Sequence, residues 1–289
     1  MKKVVIAFLI SIFVVPFAFG QRELIHALPS KLGFDTTYLN QKVDSIMQMG
    51  IDSLAFPGAQ LLMAKNDTVI FHKAYGFHTF DSVQPVATND LYDLASVTKI
   101  TGPLPALMKL VDEGKLDLDA PFSTYWKPWQ HVKNKKDLTL RQILAHQAGL
   151  VPYIVFLQKV MRKNGTIKKR FLRHERHGKF QKQAYTDLFV NARFERKMDR
   201  IINRSKVTEE KKYMYSGLTF LIFPRLIEQI TGTDYQTYLE QNFYHPLGCH
   251  TLGYLPTQKQ YVNAIVPTEV DTLYRKNLVQ GWVHDENAS

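Results

Sequence analysis

The chain is poor in the residues and patterns that mark several large classes of protein. Its 289 residues include a single cysteine, Cys249, which excludes an intramolecular disulfide. The sequence contains no C-x-x-C or H-E-x-x-H metal motif, no glycine-rich phosphate loop and no dinucleotide fingerprint. We therefore expect neither a bound metal nor a cofactor.

The N-terminal residues have the pattern of a secretory signal. Two lysines precede an apolar run over residues 4–19 that a proline interrupts. The run is shorter than the roughly 20 residues of a transmembrane helix, and it ends at the small-x-small site 18–20. This pattern predicts a cleaved signal peptide over residues 1–20 and an exported protein, periplasmic or secreted. An uncleaved N-terminal anchor is the alternative.

Hydrophobic patterns in residues 21–289 predict one domain with both strands and helices. The apolar or β-branched runs 59–64 and 68–74 flank a short polar turn and predict a β-hairpin. The run 218–230 has apolar residues at helical spacing and predicts a helix. Helices between early and late strands are typical of a layered α/β or α+β domain.

Further helix boundaries follow from capping residues. Thr139 and Gln142 form a capping box at the start of a helix that is predicted to close at Gly149. A glycine and two prolines interrupt the helical pattern that begins at residue 96, and it restarts over residues 106–113. We therefore expect residue 96 to lie on a short turn.

The stretch LYDLASVTKITG carries the strongest chemical signal. Ser96 and Lys99 are three residues apart, so on a helical turn their side chains share one face and reach hydrogen-bonding distance. A serine hydroxyl becomes nucleophilic when a neighbouring base accepts its proton, and a lysine amine can be that base. Taken as a tetrapeptide, S-x-x-K also fits a helix cap followed by a solvated lysine.

The sequence around this pair resembles the serine β-lactamase-related family, which includes class C β-lactamases, D,D-peptidases and esterases. Six pieces occur in the family's order: PGAQLLMAKNDTVIFHKAYG, LYDLASVTKITG, LMKLVDEGKLDLDAPF, LTLRQILAHQAGL, YMYSGLTFLIFPRLIEQITG and FYHPLGCHTLGY. The resemblance implies an antiparallel sheet with a helical subdomain. It places Ser96 and Lys99 on the family's nucleophile and its base partner.

The resemblance also implies a role for Tyr215. In the family, the tyrosine of a Y-x-N pattern faces the serine and handles protons during acylation and deacylation. Here the third position is Gly217, which has no side chain to bind a substrate amide, so we expect ester or peptide substrates rather than β-lactams. The alternative for Tyr215 is a core tyrosine with a satisfied hydroxyl.

Two histidines near family motifs receive lesser roles. His146, in LAHQAG, is assigned to packing and helix termination, with no chemical role. His284 lies in VHDENA, a stretch that the resemblance places in a loop near the site entrance, which implies a substrate-contact role for this histidine.

The family's K-T-G or H-x-G motif on a late strand is not seen in this sequence. That strand supplies a backbone N–H to the oxyanion hole, and one such donor is worth roughly 100- to 1000-fold in rate. We therefore expect a C-terminally incomplete domain that lacks its last strands and the C-terminal helix, with a self-sufficient shorter variant as the alternative.

A basic insertion at about 157–183 is the main source of the net charge of +11. It contains ten lysines and arginines and one glutamate. Three interpretations stay open: a solvated excursion between two helices, a flap over the site that Phe171, Phe180 and Tyr185 fix to the body, or a surface for anionic cell-envelope polymers. Nucleic acid is not expected as a partner of an exported protein without a recognisable binding motif.

Together these patterns predict an exported serine hydrolase that acts through an acyl-enzyme. Ser96, Lys99 and Tyr215 are the predicted catalytic residues, and the substrate is a peptidoglycan peptide, a small ester or, against the indication of Gly217, a β-lactam. The alternative is a catalytically incomplete fragment or pseudoenzyme that serves as a binding module for anionic polymers. The patterns leave the oligomeric state open.

Overall fold

The structure is a computed structural model that describes residues 24–259, 261 and 264–285. The predicted signal peptide, residues 1–20, lies outside the described residues. The strands are β1 (Ile25–His26), β2 (Gly58–Lys65), β3 (Thr68–Gly76), β4 (Leu172–Arg173), β5 (Phe180–Tyr185), β6 (Leu188–Asn191), β7 (Glu269–Asp271) and β8 (Asn277–Val279). The α-helices are α1 (Thr36–Asp52), α2 (Thr98–Thr101), α3 (Pro103–Asp112), α4 (Leu140–Leu144), α5 (Leu157–Val160), α6 (Arg193–Arg204), α7 (Phe223–Thr231) and α8 (Tyr235–Leu239).

The first sheet has the order β1-β3-β2 and contains the predicted hairpin. Strands β2 and β3 are antiparallel, with Lys65 opposite Thr68, and β1 is parallel to β3. Asn66 and Asp67 have φ of 49° and 58°, the left-handed pair that a two-residue hairpin turn requires. Helix α1 is joined to this sheet because Asp44 accepts hydrogen bonds from Lys73 and Tyr75.

The helices enclose the main hydrophobic core. Side chains from α3, α4 and α7 meet there because each helix places apolar residues on one face at helical spacing. The most deeply buried of them are Ala106, Leu107, Leu110, Leu140, Ile143, Phe223, Leu226 and Ile227. Cys249 is half-buried and packs against this core.

Three predicted helix boundaries need correction. The capping box of Thr139 and Gln142 is present, but α4 ends at Leu144, well before Gly149. The helix predicted over 218–230 is two elements, a 3₁₀ turn at Leu218–Leu221 and then α7. The reason is Pro224, which lacks an N–H and so begins a helix rather than continuing one.

Helix α3 also begins earlier than the predicted 106–113, because Pro103 starts it directly after Gly102. At Gly102 the hydroxyls of Tyr235 and Tyr254 approach so closely that a Cβ would collide with both. Glycine is therefore required where α2 gives way to α3.

The basic insertion is a folded part of the structure. Strands β4, β5 and β6 form a second antiparallel sheet in the order β4-β6-β5, and α6 follows it directly. Phe180 and Tyr185 are buried and Phe171 packs against the core, as their spacing predicted. The insertion is thereby fixed to the body.

A third sheet, the β7–β8 hairpin, lies near the end of the described chain. The buried Arg275 guanidinium donates to the carbonyl oxygens of Val283 and His284, which fixes the segment that follows the hairpin. Within residues 24–259, 261 and 264–285, no helix has the length and apolarity needed to span a membrane.

Candidate active site

Ser96 and Lys99 meet as their spacing predicted. Ser96 lies in a 3₁₀ turn, Ala95–Val97, that continues directly into α2, so Lys99 is one turn further along the same face. The Lys99 Nζ atom donates a hydrogen bond of 3.1 Å to the Ser96 Oγ atom. Ser96 is exposed and Lys99 is half-buried, so the serine hydroxyl is open to a ligand from solvent.

The turn that carries Ser96 is strained and is held from outside. Ala95 has φ of 45°, a left-handed conformation that costs a residue with a Cβ about 1–2 kcal/mol. Asp93 stabilises the turn because its Oδ1 accepts the Ala95 N–H at 2.8 Å. Its Oδ2 accepts the His284 N–H at 2.8 Å, so the segment at residue 284 lies beside the serine turn.

Tyr215 faces the same pair. The Lys99 Nζ atom lies 5.6 Å from the centroid of the Tyr215 ring, and the side chain is 43% exposed. Burial acts to raise the pKa of Tyr215, but hydrogen bonding with Ser96 and Lys99 and the positive charge of Lys99 outweigh it. The result is a pKa below the ordinary tyrosine value of 10.0, which makes the phenol a better proton acceptor.

His146 is the residue that sequence analysis missed. The sequence predicts a role for it in packing and helix termination. Its backbone is left-handed, with φ of 56°, two residues after the end of α4. In addition, its ring lies 4.6 Å from the Tyr215 ring, measured between centroids. Its Nδ1 accepts the Ser216 N–H at 3.2 Å, and its carbonyl accepts the Met214 N–H at 2.8 Å. His146 therefore holds both residues that flank Tyr215.

The environment of His146 favours its neutral form. Burial lowers the pKa of the His146 imidazole, and the charge of Lys99 lowers it further. Because Nδ1 accepts a backbone hydrogen bond, the proton of the neutral ring lies on Nε2. No local sequence signal pointed to this contact, because His146 and Tyr215 are 69 residues apart in the chain.

The two residues that follow Tyr215 have different surroundings. Ser216 is buried, and its Oγ donates to the Val151 carbonyl at 2.7 Å, so it is directed away from the Ser96 hydroxyl. A Cβ built on Gly217 would have the Lys99 Cε as its nearest neighbour, at 3.7 Å. Position 217 therefore adjoins the lysine, and the missing side chain leaves open space there.

Among the residues that the structure describes, the site has no group of metal-ligating side chains. No cluster of three or more histidine, cysteine, aspartate or glutamate side chains occurs among residues 24–259, 261 and 264–285. The arrangement around Ser96 consists of a hydroxyl, an amine, a phenol and an imidazole. These groups can supply a nucleophile and move protons.

Residues 39–281 match the sequence profile of the family described as Beta-lactamase. The match covers most of the chain. The chain belongs to the beta-lactamase family. The predicted family resemblance is confirmed, and the mixed α/β fold agrees with it.

Curated relatives within this family are longer than the chain. Two proteins from Salmonella gallinarum and Salmonella typhimurium, both named "Putative D-alanyl-D-alanine carboxypeptidase", are 28% identical to it over 308 aligned positions. Each alignment covers 99% of this chain and 65% of the relative. The chain therefore spans about two thirds of the length of these relatives.

Solved structures share the fold of this beta-lactamase family member. The octameric penicillin-binding protein homologue from Pyrococcus abyssi has a TM-score of 0.59 and 19% identity, over 86% of this chain and 52% of its own. A class C beta lactamase has a TM-score of 0.53 and 16% identity, over 75% of this chain and 51% of its own. The predicted β-lactamase/transpeptidase-like fold is confirmed.

Proposed function

We propose that the chain is a serine hydrolase that cleaves an ester or amide through an acyl-enzyme. The observation that carries the proposal is the 3.1 Å contact from the Lys99 Nζ atom to the Ser96 Oγ atom, with Tyr215 facing both. Family membership and the names of the Salmonella relatives support the same reaction class.

The reaction begins when the Ser96 Oγ atom attacks the substrate carbonyl carbon and its proton passes to the unprotonated amine of Lys99. The tetrahedral intermediate collapses, the bond to the leaving group breaks, and Tyr215 donates a proton to that group and recovers one from Lys99. Water then attacks the acyl carbon, the bond to the Ser96 Oγ atom breaks, and the water's proton returns to that oxygen as the acid product leaves. The chain's own residues supply every proton transfer, and no cofactor takes part.

His146 acts in this scheme as a positioning residue. It touches Tyr215 and holds the backbone on both sides of it, so it fixes where the phenol points. Its neutral state also matters, because a second positive charge beside Lys99 would alter the charge balance at Ser96 and Tyr215.

The substrate class follows from the open space at Gly217 and from the relatives' names. A D-alanyl-D-alanine peptide or a small ester fits a site without an amide side chain at position 217. Export through the predicted signal peptide at residues 1–20 would bring the enzyme to such cell-wall peptides. N-terminal sequencing of protein recovered outside the cytoplasm tests export, and a mature chain that begins at Gln21 is the expected result.

Covalent labelling tests the proposed nucleophile. The protein is incubated with a fluorophosphonate probe or a fluorescent penicillin, and the adduct is detected by intact-mass measurement. We expect an adduct on the wild type and on Ser53→Ala, an exposed serine directly after α1, but none on Ser96→Ala. Equal labelling of all three proteins would overturn the proposal.

A further inference from the structure

We propose that residues 157–206 form a binding surface for a flexible, unbranched polyanion of high charge density, such as a polymer with a phosphate in each repeat. This basic segment comprises the predicted insertion and continues through α6. The segment contains none of the proposed catalytic residues, so the inference stands independently of the proposed function.

The charge of the whole protein resides in this segment. Residues 157–206 contain 16 lysines and arginines and 4 aspartates and glutamates. All other residues together contain 21 basic and 22 acidic side chains. The net charge of +11 is therefore local, and one segment of an otherwise balanced protein carries a strong positive potential.

The fold places these charges in solvent. Of the 16 basic side chains, 14 are exposed, and the other two, Lys168 and Lys197, are half-buried. The acidic residues do little to offset them. Glu195 pairs with Lys182 and Asp187 contacts His174, while Asp199 binds Arg225, which lies outside the segment.

Four of the cations converge, with Arg170, Lys168 and Lys159 close enough to Lys197 to act on its charge. The Arg170 guanidinium lies 4.7 Å and the Lys197 Nζ atom 4.3 Å from the centroid of the Phe171 ring. The Lys168 Nζ atom donates to the Lys159 carbonyl at 3.1 Å, which brings those two residues together. Burial lowers the pKa of Lys197, and Arg170, Lys168 and Lys159 lower it further. A bound anion would relieve this mutual repulsion.

The segment lacks the apolar groups that two other polyanionic partners need. Membrane-surface helices insert large apolar side chains, and single-stranded nucleic acids stack their bases on exposed aromatic rings. Every large hydrophobic side chain within 157–206, all of which the structure describes, is buried or half-buried. Binding by charge alone favours a flexible polymer whose anionic groups can follow the cations.

Binding of inorganic polyphosphate to the full chain tests the proposal. The key variant replaces the four converging cations: Lys159→Gln, Lys168→Gln, Arg170→Gln and Lys197→Gln. The control removes the same charge elsewhere, from exposed lysines outside the segment: Lys31→Gln, Lys42→Gln, Lys65→Gln and Lys127→Gln. Affinity is measured by fluorescence anisotropy at several salt concentrations, and circular dichroism confirms that both variants are folded.

We expect the cluster variant to lose at least about tenfold in affinity and to show a shallower salt dependence, while the control stays close to wild type. Equal loss in both variants would overturn the proposal, because it would show a response to net charge alone. Tighter binding to duplex DNA or to anionic vesicles, at equal phosphate concentration, would overturn the partner class. Ser96→Ala is expected to bind polyphosphate like the wild type, which separates this surface from the proposed catalysis.

Discussion

The Ser96 site and the basic segment use basic side chains in different ways. At the Ser96 site, one lysine nitrogen is fixed at 3.1 Å from one serine hydroxyl, and residues distant in sequence hold the arrangement. In the basic segment, 14 exposed cations lie within 50 consecutive residues. A fixed geometry is sensitive to one substitution, whereas a charged surface changes only when several charges are removed together.

A third case, Lys135, connects the two regions. Its side chain is fully buried, and its Nζ atom donates to the carbonyl oxygens of Asn203 and Ser205 at the end of α6. These carbonyls are among those that a helix end leaves without intrahelical partners. The buried Lys135 therefore joins the basic segment to the rest of the protein. The exposed cations of the segment make no such connection through Lys135.

The largest effect is expected for Tyr215→Phe. Removing the phenol hydroxyl takes away a proton-transfer group, so ester hydrolysis should fall by about 10²- to 10⁴-fold. The adjacent Tyr213→Phe is the matched control, since that tyrosine is 70% exposed and also contacts the His146 ring. Steady-state kinetics with a chromogenic ester measure both variants. If they retain equal activity, the assignment of Tyr215 is wrong.

A smaller effect is expected at His146. His146→Ala removes the acceptor for the Ser216 N–H, and we expect about a tenfold loss of activity as Tyr215 loses its support. His146→Asn should retain most activity, because asparagine tolerates the positive φ and offers an oxygen near the position of Nδ1. Equal losses in the two variants would contradict a positioning role through this hydrogen bond.

The same residue predicts a pH dependence of stability. The folded protein has a lowered His146 pKa, so below the ordinary value of 6.5 the unfolded chain binds the proton more readily. The stability of the wild type relative to His146→Asn should therefore fall as the pH drops below about 6.5. Urea unfolding of both proteins between pH 5 and 8 measures this difference, and parallel pH profiles would contradict it.

The lowered pKa of Lys135 predicts a change in stability at alkaline pH. Burial lowers its pKa from 10.5 to about 8, so between these values the unfolded chain holds a proton that the folded protein has released. Stability should then rise from pH 8 to 10.5 relative to Lys135→Met, by no more than about 3.5 kcal/mol, since one pKa unit corresponds to about 1.4 kcal/mol. Denaturant melts across this range test it, and identical slopes for the two proteins would count against a buried ammonium.

The smallest effect is expected for Gly217→Asn. The backbone at residue 217 has φ of −88° and leaves ordinary contact distance for a Cβ, so stability should change by less than about 1 kcal/mol. The new amide would lie beside Lys99, and we expect a few-fold shift in preference from esters toward a chromogenic β-lactam. The ratio of kcat/KM values for the two substrates measures the shift; an unchanged ratio would show that position 217 does not set specificity.

Local sequence rules predicted much of the site and the first sheet. The Ser96–Lys99 contact follows from helical geometry over three residues, and the β2–β3 hairpin follows from apolar or β-branched runs on either side of the polar turn 65–67. The capping box at Thr139 was also predicted, because both partners lie within one turn. Each of these features depends on interactions between near neighbours in the chain.

The features that the sequence did not predict depend on distant contacts. His146 supports Tyr215 across 69 residues, and Asp93 meets His284 across 191 residues. Periodicity carries no information about such pairs. The left-handed backbone of Ala95 was also unexpected, because alanine has no preference for that conformation and tertiary contacts have to hold it there.

The most direct test of the account is the rate at which Ser96 is acylated when its neighbouring amine is removed. Lys99→Met retains the length of the side chain, and Lys42→Met, an exposed lysine on α1, is the control. The second-order rate constant for fluorophosphonate labelling is measured for each, with the adduct located on the peptide that contains Ser96. We predict a decrease of about 10²- to 10⁴-fold for Lys99→Met and no change for the control. Equal rates in all three proteins would contradict activation of Ser96 by Lys99.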